Sequence, residues 1–147
     1  MSVKVSSNDL DVRVVRPSDI RAELNYAFNR QRPVFIWGPP GVGKSEIVDS
    51  ITQERSGFMI DLRLALMEPT DLRGIPYFNQ ETGRMEWATP SDLPSQELAD
   101  QYENIVLFLD EMNQAPQSVQ AAAYQLILNR RLGNYVLPDN VLIVAAG

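Results

Sequence analysis

The stretch Trp37 to Glu46, W-G-P-P-G-V-G-K-S-E, constrains this chain more than any other. Glycines and prolines dominate it until a Lys-Ser pair arrives, a composition suited to a place where the backbone itself makes the contacts. On its amino side lies P-V-F-I-W, Pro33 to Trp37, a short apolar run bounded by breakers that reads as a buried strand. On its carboxyl side, Lys44 to about Glu54 carries Ile47, Val48 and Ile51 on one helical face. Gly38 to Ser45 fits G-x-x-x-x-G-K-[ST] in the strand, loop and helix setting that the pattern requires. With no Cβ at Gly41 or Gly43, successive N–H groups can converge on phosphate oxygens, and the following helix adds its positive end. Lys44 is placed to reach the β and γ phosphates, and the Ser45 hydroxyl to coordinate Mg²⁺. The binding segment read from this pattern comprises Gly38, Pro39, Pro40, Gly41, Val42, Gly43, Lys44, Ser45 and Glu46.

A second motif complements it. I-V-L-F-L-D-E, Ile105 to Glu111, is an apolar strand that ends in two acids. Asp110 would emerge at the carboxyl end of that strand, where it can hold the metal through water. Glu111 would orient or deprotonate a water aimed at the γ phosphate. Taken alone, the two acids could equally open a solvated loop; beside a phosphate loop they specify a Mg-dependent nucleoside triphosphatase.

Composition narrows the chemistry further. The 147 residues, 44% hydrophobic, suffice for one packed domain and are too few for two ordinary ones. Neither Cys nor His occurs, which removes disulfides, thiolate or imidazole zinc sites and Ser-His nucleophilic schemes together. Catalysis is left to carboxylates, Lys, Arg, hydroxyls, backbone groups and a borrowed metal. The net charge of -6, with a pI near 4.6, argues against a broad nucleic-acid or anionic-membrane surface. No apolar run approaches the ~20 residues of a membrane helix, and the first ten residues lack a secretory layout. Together with the missing cysteines, this leads to the expectation of a cytoplasmic protein.

Along the chain, residues 1–17 read as an amino-terminal arm and 18–147 as the core domain. Ser18 is expected to cap a helix running to about Asn29. F-M-I-D-L-R-L, from Phe58, reads as a strand with Phe58, Ile60, Leu62 and Leu64 alternating against Asp61 and Arg63. Met67 to Pro94 is rich in turn residues, with a β-hairpin expected over Tyr77 to Trp87 that turns between Asn79 and Gly83. A short helix follows from Ser95 to Tyr102, and a longer one from Ala115 to Arg131 has Pro116 near its start and cations in its last turn. A second small hairpin is expected around Gly133 and Asn134, before the last buried strand V-L-I-V-A-A-G. Apolar strands alternating with helices imply a parallel α/β sheet of the P-loop NTPase kind, with ligands at the carboxyl ends of its strands.

The sequence resembles the MoxR-like AAA+ ATPases from about Ser18 to Gly147. The likeness rests on G-P-P-G-V-G-K-S, M-E-P-T-D-L-R-G-I-P, L-F-L-D-E-M-N-Q-A-P-Q-S-V-Q-A-A and the closing V-A-A-G. In such proteins the Asp-Glu pair is followed by Asn, a small residue and Pro, as Asn113, Ala115 and Pro116 are here. The resemblance implies an AAA+ core with β-hairpin insertions, ATP and Mg²⁺ as cofactors, and a homo-oligomeric ring, usually a hexamer. It also implies remodelling or metal-cofactor assembly of a client protein, often with a von Willebrand A-type partner. Gly147 falls where a polar sensor residue would follow, and the arginine finger, fifth strand and helical lid of the family would lie beyond it. The expectation is therefore a part of a longer protein, with slow hydrolysis at best on its own and an open sheet edge beside the Pro33 to Trp37 strand.

Rival readings remain at this stage. Asp71-Leu72-Arg73-Gly74 fits the D-x-x-G of a GTPase switch, but no N-K-x-D follows and a turn into the hairpin is the preferred explanation. Asp61 and Arg63 either restrain Glu111 or form an exposed strand face. Arg130 and Arg131 either reach a neighbour or answer the helix dipole, with the dipole preferred. Trp87, Tyr77 and Phe78 either grip a client or staple the hairpin. At the level of the whole domain, the alternative to an ATPase is a nucleotide-dependent interaction module with little or no turnover.

Overall fold

In the computed structural model, residues 4–5, 13–15, 19–37 and 43–147 are described. Strands β1 (Lys4–Val5), β2 (Arg13–Val15), β3 (Val34–Ile36), β4 (Phe58–Arg63), β7 (Ile105–Asp110) and β10 (Val141–Ala146) form one sheet, in the order β1-β2-β3-β10-β7-β4. The four strands β3, β10, β7 and β4 run parallel, as apolar strands joined by helices must, because each crossover returns the chain to the same end of the sheet. The open edge expected beside β3 is not found: β2 pairs with it in parallel, Arg13 opposite Val34 and Val15 opposite Ile36.

Helices cover both faces of this sheet. On one side lie α1 (Ile20–Arg30) and α2 (Lys44–Glu54), over Ile36, Val106, Phe108, Leu142 and Val144. On the other lies α5 (Gln117–Asn129), over Leu107, Leu109, Ile143 and Ala145. Successive residues of β7 therefore feed opposite layers, and every one of its residues from Ile105 to Leu109 is fully buried. The same holds along β10, which explains why both sequences read as unbroken apolar runs rather than alternations. By contrast, β4 is the last strand of the sheet; it alternates as expected, but Phe58 at its start remains 37% exposed, stacked on Tyr102 at 5.1 Å.

The turn-rich region folds around short elements. Helix α3 (Pro69–Arg73) was not anticipated from the sequence, and it is held by a capping box: the Asp71 carboxylate accepts the Glu68 N–H at 2.7 Å. This also answers the D-x-x-G reading, since Asp71 caps a helix. Strands β5 (Ile75–Asn79) and β6 (Arg84–Ala88) form the expected hairpin, with Phe78 opposite Met85 and Tyr77 opposite Glu86. At its base Gly74 takes φ 88° and ψ -171°, and a Cβ there would lie 2.0 Å from the Ala88 carbonyl oxygen, so only glycine fits. Next comes α4 (Gln96–Ala99), whose Ser95 hydroxyl accepts the Leu98 N–H at 3.1 Å. The second hairpin is β8 (Arg131–Leu132) and β9 (Tyr135–Val136), pinned by the buried Tyr135 hydroxyl donating to the Pro94 carbonyl at 2.6 Å.

Two termini differ from expectation for local reasons. Helix α1 starts at Ile20 behind Asp19, whose side chain makes no capping bond; the expected cap Ser18 lies outside the described residues. Helix α5 ends at Asn129, so neither arginine sits in its last turn. Arg130 instead closes the helix at φ 54° and sends its guanidinium to the Pro138 and Val141 carbonyls, at 2.7 and 2.9 Å. Arg130 is thus a pin between α5 and the start of β10, whereas Arg131 is exposed at the start of the hairpin. No helix among the described residues is long and apolar enough to cross a membrane.

Candidate active site

Parallel strands bring their carboxyl ends to one edge, and the register there is explicit. Ala146 of β10 lies opposite Ile36 of β3, Ala145 opposite Leu109 of β7, and Arg63 of β4 opposite Asp110. The chain leaving β3 toward α2 and the acids leaving β7 are therefore separated by one strand, β10. At a spacing of ~4.8 Å per strand that leaves roughly 10 Å between them, the span of a phosphate group and a metal ion.

Gly38, Pro39, Pro40, Gly41 and Val42 lie outside the described residues. The described part of the segment begins at Gly43, whose φ of 71° turns the chain into α2. The first helical bond of α2 runs from the Ile47 N–H to the Gly43 carbonyl at 3.1 Å, so the amides of Lys44, Ser45 and Glu46 belong to the helix's free amino end. The Lys44 ammonium crosses to the end of β10 and donates to the Gly147 carbonyl at 3.0 Å. The Ser45 hydroxyl donates to Glu46 Oε2 at 3.3 Å, within the acidic first turn of the helix. The lysine's anchorage on Gly147 had no signal in the sequence, because a main-chain acceptor a hundred residues away has no side-chain identity to read.

At the end of β7, Asp110 and Glu111 are both half-buried. Asp110 Oδ1 accepts the N–H of Glu111 at 2.8 Å. Glu111 stands in the left-handed region at φ 57° and ψ 39°. Among the described residues the other non-glycine positions of this kind, Gln31, Ser56 and Arg130, follow helix ends, where such a turn satisfies the last carbonyls. Glu111 follows a strand, so a cost of roughly 1–2 kcal/mol is held there by its surroundings. Those surroundings are a single tight turn: the Gln114 N–H bonds the Glu111 carbonyl at 3.1 Å, Met112 is 1% exposed, and the Gln120 side chain donates to the Ala115 carbonyl at 2.9 Å. Asn113 is exposed, Ala115 is buried, and Pro116 leads into α5.

Two neighbours bear on these acids. Asp61 and Arg63 share the face of β4 that looks past Asp110, and both are exposed. Burial of its inner side pushes the Asp61 carboxyl above its ordinary value; Asp110 and, more weakly, Glu111 push the same way, while Arg63 opposes. Asp61 is therefore close enough to sense both acids, yet no hydrogen bond between it and Glu111 is formed. Trp37, just before the phosphate-loop segment, stacks on Phe35 at 5.7 Å, and Phe35 stacks on Tyr124 of α5 at 6.0 Å. A Cβ on Gly147 would come 2.2 Å from the Trp37 ring, so the end of β10 is fitted closely against that indole.

As a donor set, one hydroxyl and carboxylate oxygens suit a hard ion such as Mg²⁺. Among the described residues no group of three or more acidic side chains is placed to hold a metal ion.

Comparison with known proteins bears on the family and the fold. The family model for the AAA domain, dynein-related subfamily, matches residues 33–141. Midasin of Giardia intestinalis is 32% identical over 143 residues; the match takes in 90% of this chain but only 3% of that protein's length. The crystal structure of a candidate ATPase from Cytophaga hutchinsonii superposes with a TM-score of 0.59 at 19% identity, over 90% of this chain and 39% of the other, a likeness of fold.

Proposed function

Because the chain belongs to the dynein-related AAA family, we propose that it binds ATP with Mg²⁺ and hydrolyses it to drive rearrangement of a client protein. The observation that carries this reading is the placement of Lys44 and Ser45 at the head of α2, one strand away from Asp110 and Glu111 at the end of β7. Lys44 leaves the Gly147 carbonyl for the β and γ phosphates, a stronger, charge-assisted acceptor. The amino end of α2 favours the same anion. Ser45 and Asp110 would hold the magnesium ion, which when bound neutralises phosphate charge and aligns the leaving group. Glu111, fixed by its left-handed turn, accepts a proton from the attacking water or orients it.

The finer assignment to the MoxR-like group is supported by the Asp110-Glu111-Met112-Asn113 run followed by Ala115 and Pro116, and by the two hairpins that interrupt the core. With it come a homo-oligomeric ring, a hexamer in that group, a client with a von Willebrand A-type partner, and a cytoplasmic setting.

The test is Glu111→Gln. Phosphate release from Mg-ATP should fall roughly a hundredfold or more while nucleotide affinity is kept, and Lys44→Ala should lose affinity itself. If release is unchanged in Glu111→Gln, the site is a nucleotide-dependent interaction module rather than an ATPase. Equal turnover of Mg-GTP would remove the preference for adenine.

A further inference from the structure

We propose that the outer edge of β4 is a docking site for an extended, cation-bearing segment of a partner protein, which joins the sheet as an additional strand. Among the described residues β4 pairs with β7 on one side and with no strand on the other. Half of the main-chain polar groups of an edge strand point outward, which makes it a template for another chain. Space for such a chain is present. A cavity of about 440 Å³ is bordered by Asp61, Leu62 and Arg63 together. Consecutive residues of a strand face opposite sides of the sheet, so a hollow touching all three runs along the strand's edge rather than over a face. It is also lined by Leu66, 79% exposed, and by Met67, Asp71 and Asp92. A second hollow of about 480 Å³ is lined by Ile60 of the same strand together with Ser95 and Val136.

Charge selects the occupant. Three carboxylates, Asp61, Asp71 and Asp92, face one guanidinium, Arg63, around the first hollow. The excess of negative charge is complementary to a Lys or Arg side chain. The β4 edge of a second copy would bring the same carboxylates to this hollow, acid against acid. The exposed Leu66 gives the incoming segment an apolar contact next to its cation, so alternation of apolar and basic residues is the expected pattern.

The probe is a displayed library of random dodecapeptides panned against the full chain. Enriched peptides should alternate apolar with Lys or Arg residues and should slow amide exchange at Met59 to Arg63. Methylating alternate backbone nitrogens of such a peptide should abolish binding, and Asp92→Lys should weaken it by about tenfold. Four results would overturn the proposal: no enrichment, enriched peptides that leave the β4 amides unprotected, affinity indifferent to N-methylation or to Asp92→Lys, or self-association through β4 in the absence of peptide.

Discussion

Replacing Gly74 by alanine should detach a hairpin without unfolding the domain. Gly74 occupies a backbone region that a residue with a side chain enters at a cost of about 1–3 kcal/mol, and its new methyl would sit 2.0 Å from the Ala88 oxygen, a backbone atom that cannot rotate away. The chain can relieve both by opening the base of β5 and β6. That release sacrifices little burial, because Ile75, Phe78 and Met85 are already 61%, 59% and 66% exposed, and neither apolar layer of the sheet is touched. Opening therefore competes well against global unfolding. Amide exchange over residues 75–88 should accelerate by roughly ten- to a hundredfold, the equivalent of ~1.4–2.8 kcal/mol, while the urea midpoint of the core scarcely moves. Gly83→Ala is the matched control in the same hairpin: φ is 68° but nothing lies within 4 Å of the new methyl, so only the left-handed penalty of about 1 kcal/mol applies. A large cooperative loss of stability in Gly74→Ala, or exchange no faster than in Gly83→Ala, would refute the reasoning.

Other perturbations follow from single contacts. Arg130→Ala removes the donor shared by the Pro138 and Val141 carbonyls and should cost about 2–3 kcal/mol in urea denaturation; Arg130→Gly should cost less, because glycine relieves the left-handed backbone at that position. Tyr135→Phe leaves the Pro94 carbonyl without its buried partner and should cost about 1–2 kcal/mol with an unchanged denaturant slope. Asp61 holds its proton more tightly in the folded chain than in the unfolded one, so the folded state binds more protons and stability falls as pH rises from its ordinary value of 3.8 through the raised one. Asp61→Asn should flatten that decline, read as urea midpoints across the acid range.

Much of this was legible because apolar periodicity and breakers agreed. Helix α2 spans the residues its Ile47, Val48 and Ile51 pattern predicts, and the strand expected over Ile105 to Glu111 is found over Ile105 to Asp110, one residue shorter because Glu111 turns left-handed. The hairpin of β5 and β6 follows from its Gly83 turn and flanking aromatics. What escaped depended on distant partners or on very short segments. Arg13 to Val15 carries only two valines, and its place beside β3 is a tertiary choice. Helix α3 is five residues long, yet Glu68 and Asp71 form the three-residue spacing of a capping box, a signal that could have located it. Arg130 looked like an answer to the helix dipole because its real acceptors are main-chain carbonyls of the following loop and strand. At the site, the residue types Lys44, Ser45, Asp110 and Glu111 were readable from spacing, whereas the left-handed turn at Glu111 was not, since glutamate carries no propensity for it.

The indole of Trp37 is stacked on Phe35, rests against the end of β10 and precedes the phosphate-loop segment by a single peptide bond. The sequence has two tryptophans, the other being Trp87 on the hairpin, so Trp87→Phe would leave a single indole, and that one beside the phosphate-loop segment. Arrival of a triphosphate, drawing Lys44 off the neighbouring carbonyl, would then be recorded as a change in emission of the unlabelled protein. Affinity and exchange rates become measurable by stopped flow with no dye attached.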